Sequence, residues 1–255
     1  MLARSLFGHS LAAVEATWAI CRRDLVAALT SPLAWLVLAC WIALVNILFV
    51  YGLFEIRYHN GSADQPLFVS SLHLGAWLLI LLAPALTMTS FASERAQGTL
   101  QLLLTVPVRE HQIVIGKFLA VMGVLLLLIL ATLVQPLVLA WISSVQMPHL
   151  LAGYVGLLLS ACFYAALGLW ISLLVDSPAA AYVLTFGAIA VLHLVSLAGI
   201  GNSFSPVAEA LGLGSRIAPF FAGELRLGGV AYLLCGSAVM LLFSVQALRS
   251  KRWGG

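Results

Sequence analysis

The side chains in this sequence that could do chemistry are few and widely separated. His59, His73 and His149 each fall near the end of an apolar run, and three histidines could hold a metal ion. Their spread over about ninety residues makes this a weak signal for a metal site. His193 lies well inside an apolar run, where a lone histidine is more often packed or hydrogen-bonded than catalytic. We therefore expect no resident metal.

The common catalytic motifs are missing from the sequence. HExxH, GxSxG and GxxxxGK[ST] do not occur, because Gly116-Lys117 is followed by Phe118 and the fifth residue before Gly116 is His111. We expect no catalytic residue and no means of spending ATP in this chain. The four cysteines, Cys21, Cys40, Cys162 and Cys235, share no CxxC spacing, so we expect neither disulfides nor a cysteine metal site. Three of them lie inside or beside apolar runs, where we expect buried thiols.

One run, residues 91–119, combines charge, turn formers and a short apolar segment. Glu94-Arg95 is followed by Gly98-Thr99, where we expect a sharp turn with little room for a side chain at Gly98 and Thr99 as a helix N-cap. Leucines 100 and 102–104 then form a short predicted helix, which Pro107 ends. A short protruding helix of this kind suits docking into the groove of another protein.

The composition requires a membrane around these segments. The chain has 255 residues, of which 63% are hydrophobic and 8% charged, whereas soluble domains are nearer half apolar and a quarter charged. Runs of about 20 apolar residues predict spanning helices. We predict six, at 33–54, 70–91, 118–143, 150–174, 180–200 and 229–248, with kinks at Pro84 and Pro136. As drawn, these spans hold no Asp, Glu, Lys or Arg away from their ends, which disfavours ion coupling.

The basic residues predict the orientation. Nine of the twelve Lys and Arg fall in the N-terminal segment, the loop after the second span and the C-terminal tail, so we expect both termini to be cytoplasmic. Residues 11–29 predict an amphipathic helix in the cytoplasmic interface, with one apolar face and an end at Ser31-Pro32; that face comprises Leu11, Val14, Trp18, Cys21, Leu25 and Ala28. The Gly-rich segment 201–228 predicts short re-entrant helices in the outer leaflet.

The 91–119 run resembles the permeases of type-2 ABC exporters, whose consensus there is close to E-R-x-x-G-T-L-E-x-L-L-T-x-P-V followed by I-x-x-G-K-F-L. Gln101 departs from it, where the family usually has Glu. The matching residues are Glu94, Arg95, Gly98, Thr99, Leu100, Leu103, Leu104, Thr105, Pro107, Val108, Ile113, Gly116, Lys117, Phe118 and Leu119. Arg23-Asp24-Leu25 and Ser31-Pro32 are similar to the family's N-terminal elbow, and the layout looks most like the gliding-motility-type permeases.

The resemblance implies an all-α integral membrane protein, a single permease domain over residues 1–255, in the bacterial inner membrane. Such permeases work as identical or related pairs, and two separate ATPase subunits, which use ATP and Mg, dock on the loops after the second spans. It therefore implies that 92–117 is the coupling loop, with these ATPase contacts: Glu94, Arg95, Gly98, Thr99, Leu100, Leu103, Leu104, Thr105, Pro107 and Val108. A periplasmic auxiliary subunit and membrane lipid are further expected partners, and nucleic acid is not.

Small residues in the first span predict where two subunits meet. Ala39, Ala43 and Asn46 recur near helical spacing, and we expect them at an interface with the fifth span, with Asn46 facing the pathway or the partner. The alternative is that Asn46 bonds within its own subunit. Apolar walls with scattered polar groups such as Gln135 would suit an amphipathic or lipidic cargo, or a transporter that pushes on an outer partner. A non-transporting membrane anchor or assembly factor is the second hypothesis, and a polytopic membrane enzyme is the third.

Overall fold

The computed structural model describes residues 2–59, 67–99, 108–142, 147–198 and 211–253, and this part of the chain is all helical. Side chains in the first helix are described from Val14 onward. The helices are α1 (Leu2–Thr30), α2 (Pro32–His59), α3 (Leu67–Thr87), α4 (Ala92–Ala96), α5 (Glu110–Ala131), α6 (Val134–Ile142), α7 (Met147–Leu174), α8 (Pro178–Ala198), α9 (Leu213–Phe221) and α10 (Leu227–Trp253).

Within the described residues, six helical segments are long and apolar enough to cross a membrane, which confirms the predicted number. They cover Ala34–Tyr51, Ser71–Ala96, Glu110–Trp141, Met147–Leu174, Pro178–Ser196 and Leu227–Lys251. Pro32 and Pro178 stand at the first positions of α2 and α8, where a missing N–H breaks no helical hydrogen bond. The third span begins at Glu110, earlier than predicted, so it includes Lys117.

The two prolines inside spans behave differently. Pro84 lies in the uninterrupted helix α3. At Pro136 the prediction of a kink is wrong, because the third span is interrupted at Thr132-Leu133, between α5 and α6. The proline ring would clash with the carbonyl four residues earlier, which belongs to Thr132. The Thr132 and Leu133 N–H groups instead donate to the carbonyls three residues back, at 3.1 and 3.0 Å.

A buried glutamine beside this interruption bonds to two other spans. The Gln135 amide donates from Nε2 to the Val45 carbonyl at 3.1 Å and accepts at Oε1 from the Ser71 hydroxyl at 2.6 Å. Gln135 and Ser71 are both fully buried. Because unpaired polar groups are costly in lipid, these bonds join the first three spans. In the single chain Gln135 is therefore a packing residue and does not line an open pathway.

The fourth span, α7, is the centre of the bundle. It contacts α3, α5, α8, α9 and α10, and most of its residues are buried. Glycine allows close contacts along it: a Cβ at Gly168 would lie 2.2 Å from the Thr87 Oγ1 of α3, and one at Gly156 would lie 2.6 Å from the Phe220 Cβ of α9. The first, fifth and sixth spans are the least buried and form the perimeter.

The N-terminal helix extends over the predicted segment, but its apolar residues do not share one environment. Cys21 is buried, whereas Val14 and Trp18 are exposed. Helix α1 packs against α5 partly through residues of the predicted apolar face, Cys21 and Leu25, and the amphipathic interface helix stays a prediction. A Cβ at Gly116 would lie 3.0 Å from the Ile20 Cβ, and one at Gly123 would lie 3.1 Å from Leu25.

The segment before the last span is described from residue 211 onward, and residues 201–210 lie outside the described part. Helix α9 has nine residues, far fewer than the about 20 needed to cross a bilayer. Its Phe220 and Phe221 are buried against the N-terminal halves of α7 and α3, where Phe221 packs on the His73 ring at 4.4 Å between centroids. This end of the bundle is opposite to the end that carries α4.

The histidines and cysteines test the expectations about packed histidines, metal binding and buried thiols. His193 accepts or donates a 3.1 Å hydrogen bond with the Tyr164 hydroxyl, so the packed interpretation is confirmed. His149 lies against Gly223, and the side chain of His59 is outside the described part. Among the described side chains, no three potential ligands are grouped to hold a metal. The expectation of buried thiols is wrong for Cys40 and Cys235, which are exposed because their spans lie at the perimeter.

Candidate functional site

The short helix α4 begins the loop between the second and third spans, and a side chain from another span caps it. The backbone N–H groups of Phe91 and Ala92 both donate to the Ser172 Oγ of α7, at 3.3 and 3.0 Å. The N–H groups of a first helical turn have no partner within the helix, so this hydroxyl does the work of an N-cap. Because Phe91 and Ser172 are both buried, α4 is held against the end of the fourth span.

Four charged side chains meet beside α4, and we call Arg23, Asp24, Glu94 and Lys117 the buried charge cluster after its buried member, Lys117. The side chains of Asp24 and Glu94 are partly buried, and that of Arg23 is 54% exposed. Lys117 is only 2% exposed, and its Nζ donates to the Glu94 carboxylate at 2.8 Å, the Asp24 carboxylate at 3.1 Å and the Ser90 carbonyl at 2.8 Å. These bonds use all three protons of the ammonium group. The same Nζ lies 5.0 Å from the centroid of the Phe91 ring, within the range of a cation–π contact.

Arg23 completes the cluster. Its guanidinium contacts Asp24 at 2.8 Å and Glu94 at 3.1 Å, so two cations balance two carboxylates. The hydrogen bond that Arg23 donates to Asp24 is the largest influence that raises the pKa of Arg23, and the charges of Asp24 and Glu94 add to it. A buried ion pair is tolerated when every charge has a partner, and removal of one partner is then strongly destabilising. The cluster joins α1, α4 and α5.

Arg95 faces the other way and contacts the turn between α7 and α8. Its guanidinium lies 2.7 Å from the Asp176 carboxylate and 3.4 Å from the Leu173 carbonyl. The Lys251 ammonium of α10 donates to the same carbonyl. Asp176 is 85% exposed, so its pair with Arg95 is worth little by itself. The contacts on the two sides of α4 therefore differ in strength, and those to the buried charge cluster are stronger than the ion pair with Asp176.

Gly98 forms the turn that follows α4. Its φ is +71°, a left-handed conformation that costs other L-residues about 1–2 kcal/mol. The expectation that space is short there is not met by the described residues, none of which has an atom within 4 Å of a Cβ placed on Gly98. The backbone conformation, and not crowding, therefore requires glycine. The Thr99 hydroxyl donates back to the Glu94 carbonyl at 3.1 Å, and its predicted N-cap bond falls outside the described residues.

The structure places only some of the predicted contact residues. Val108 packs on the apolar cluster around Phe91. Leu100, Leu103, Leu104, Thr105 and Pro107 lie outside the described residues. The sequence interpretation did not assign Arg23, Asp24, Lys117 or Ser172 to the site. A lysine within a long apolar span was the available signal, because an ionisable group there needs a partner.

The predicted interface residues lie on the first span. Ala39 and Ala43 are exposed on α2 in the single chain. Asn46 is half-buried and its amide donates to the Ile42 carbonyl of its own helix at 2.8 Å, as in the alternative interpretation.

Comparison with known proteins identifies the family. The family model described as ABC-2 family transporter protein matches residues 56–228, well over half of the chain. This match includes the second to fifth spans, Glu94 and the buried Lys117, and α9. No curated protein matches the chain. The family implies a permease component that associates with an ABC ATPase. With its six apolar spans, the chain therefore belongs to the ABC-2 family of transporter proteins, as a multi-pass membrane permease component.

Proposed function

We propose that this chain is the membrane-spanning subunit of an ATP-driven ABC exporter, with residues 1–255 as one permease domain. The supporting observation is that α4, at the start of the loop, is attached to two parts of the bundle. Its Glu94 belongs to the buried charge cluster, and its first N–H groups bond to Ser172 of α7. A force applied to residues 100–107 would pass through α4 into α1, α5 and α7. That arrangement suits a subunit driven by an external motor, which would use ATP and Mg in two ATPase copies.

The charge distribution supports a cytoplasmic position for this end of the bundle, in a bacterial inner membrane. Arg22, Arg23, Arg95, Lys117 and Lys251 lie at the end that carries α4, and Arg216 and Arg226 at the other. Basic residues are retained on the cytoplasmic side of membrane proteins. Both termini would then be cytoplasmic, α1 would lie in the inner interface, and α9 would be re-entrant from outside. The proposal also places the chain in the gliding-motility-type subgroup and gives it a periplasmic auxiliary subunit as a partner.

Substitutions at Gly98 test the coupling role of this loop. Gly98→Ala and Gly98→Trp should both reduce recovery of the ATPase with the tagged chain about fivefold or more, because the left-handed turn becomes about 1–2 kcal/mol less favourable. Gly98→Asn is the matched control, since asparagine tolerates this conformation better than other side chains. Copurification, quantified by mass spectrometry of the Walker-motif subunit, is the measurement.

Two outcomes would count against the proposal. If the unmodified chain recovers no Walker-motif ATPase, the exporter assignment fails and the membrane-anchor hypothesis becomes the better one. If Gly98→Trp recovers as much ATPase as the unmodified chain, the loop is not the docking element. Recovery of a cytoplasmic ATPase through this loop would also establish the proposed orientation.

The pairing of two subunits predicts a cross-link through the first span. The first and fifth spans are each 17% buried in the single chain, which leaves most of their surface for lipid or a partner. Cysteine at Ala39 or Ala43, in a background without the four native cysteines, should give a cross-linked permease dimer. Cysteine at the fully buried Ala161 should give none. If neither first-span variant cross-links while the ATPase stays bound, this interface is wrong.

A further inference from the structure

Lys117 is the side chain that joins the third span to the start of the coupling loop. It belongs to α5, and its Nζ reaches Asp24 on α1, the Ser90 carbonyl before α4 and Glu94 on α4. We infer that Lys117 is a positioning residue that makes α1, α4 and the beginning of α5 a single rigid unit, so that motion of the loop is passed to the third span. This inference rests on the proposed function.

Close packing beside Lys117 supports a rigid unit. A Cβ at Gly116 would lie 3.0 Å from both the Ile20 Cβ and the Thr17 carbonyl oxygen, so the backbones of α1 and α5 approach closely one residue before Lys117. The lysine is 2% exposed, and its three protons are donated to acceptors on α1, on α4 and just before α4. Motion of α4 away from α5 would therefore break bonds of a buried ammonium group.

The charge balance of the cluster allows the connection to be removed without leaving an unpaired charge. Lys117→Met alone would leave two partly buried carboxylates with one cation, and this variant is expected to misfold. Lys117→Met with Asp24→Asn leaves Arg23 and Glu94, which lie 3.1 Å apart. The double variant therefore keeps the ion pair between α1 and α4 and loses the bonds that Lys117 of α5 makes to both, while the packing of α1 on α5 at Gly116 remains.

Distances between spin labels test the inference. One label pair joins Gln97 at the end of α4 to His111 on α5, and the other joins Gln97 to Ala19 on α1; all three side chains are exposed. In the unmodified chain, both distance distributions should be the same in the nucleotide-free and ATP-trapped complexes. In the double variant, the Gln97–His111 distribution should broaden or shift with ATP, while the Gln97–Ala19 distribution stays unchanged.

Function is measured on the same complexes. The double variant should still recover the ATPase, but the ATPase rate should fall to that of the isolated ATPase. Arg226→Gln with Glu224→Gln is the matched control, because it removes an exposed ion pair at the opposite end and should change neither measurement.

The possible outcomes separate the two proposals. A Gln97–His111 distance that changes with ATP in the unmodified chain would overturn the inference without any variant. A double variant with unchanged distances and full ATPase stimulation would reduce Lys117 to a packing role. Failure of the unmodified chain to recover an ATPase would instead remove the proposed function, and the label distances in the permease alone would still show whether Lys117 holds α4 to α5.

Discussion

Trp41→Ala is expected to destabilise the folded permease by about 3–5 kcal/mol, the usual cost of truncating a fully buried large aromatic side chain. Trp41 is 1% exposed on the otherwise poorly buried first span, and its ring lies 3.7 Å from a Cβ placed on Gly75 of the second span. In lipid the loss comes from packing contacts, because the bilayer is itself apolar. Thermal unfolding of the purified protein in detergent, followed by size-exclusion chromatography, is the measurement.

Trp35→Ala provides the control on the same helix. Trp35 is 62% exposed, and its indole N–H donates to the Leu29 carbonyl at 2.9 Å. Loss of one hydrogen bond should cost about 1 kcal/mol. Equal shifts in the unfolding temperature for the two variants would mean that Trp41 does not anchor the first span to the second.

Gly168→Ala is expected to force the second and fourth spans apart. The added Cβ would lie 2.2 Å from the Thr87 Oγ1 and 2.8 Å from its Cβ, and Thr87 is buried with its hydroxyl bonded to the Ala83 carbonyl at 3.0 Å. Overpacking of this kind costs about 1–3 kcal/mol. Because Thr87 lies just before α4, we expect lower ATPase recovery as well as lower thermal stability.

Gly187→Ala is the matched glycine variant. No atom of a described residue lies within 4 Å of a Cβ on Gly187. Alanine is favoured over glycine in a helix by roughly 0.5–1 kcal/mol, so this change should be neutral or stabilising. Thr87→Gly combined with Gly168→Ala removes both clashing atoms and should recover part of the loss. If the two single glycine variants have the same stability, the close contact at Gly168 is not a constraint.

The parts of the fold that could be predicted are those set by local chemistry. Spans follow from runs of about 20 apolar residues because lipid offers no partner for an exposed backbone. The starts of α2 and α8 follow from Pro32 and Pro178. The turn at Gly98 also follows from a local property, although its reason is the backbone angle and not lack of space.

The parts that could not be predicted depend on contacts between distant segments. Pro136 interrupts the third span at Thr132-Leu133, and the Gln135 side chain beside it finds partners on two other spans. No local pattern around Pro136 reveals these partners. Likewise, the buried face of α1 is determined by where glycines of α5 allow close approach, and not by the periodicity of its own apolar residues.

The candidate site also has one part that local sequence determines and another that depends on contacts between distant segments. By itself the sequence determined that a charged, glycine-containing segment leaves the second span near Glu94 and returns to the membrane near Lys117, because charge and turn formers end apolar runs. Only the tertiary structure decided that Glu94 and Lys117 are bonded to each other and to Asp24, and that Ser172 caps α4. A buried charge must find a counter-charge wherever the packed helices place one, and that position depends on helix packing and not on sequence separation.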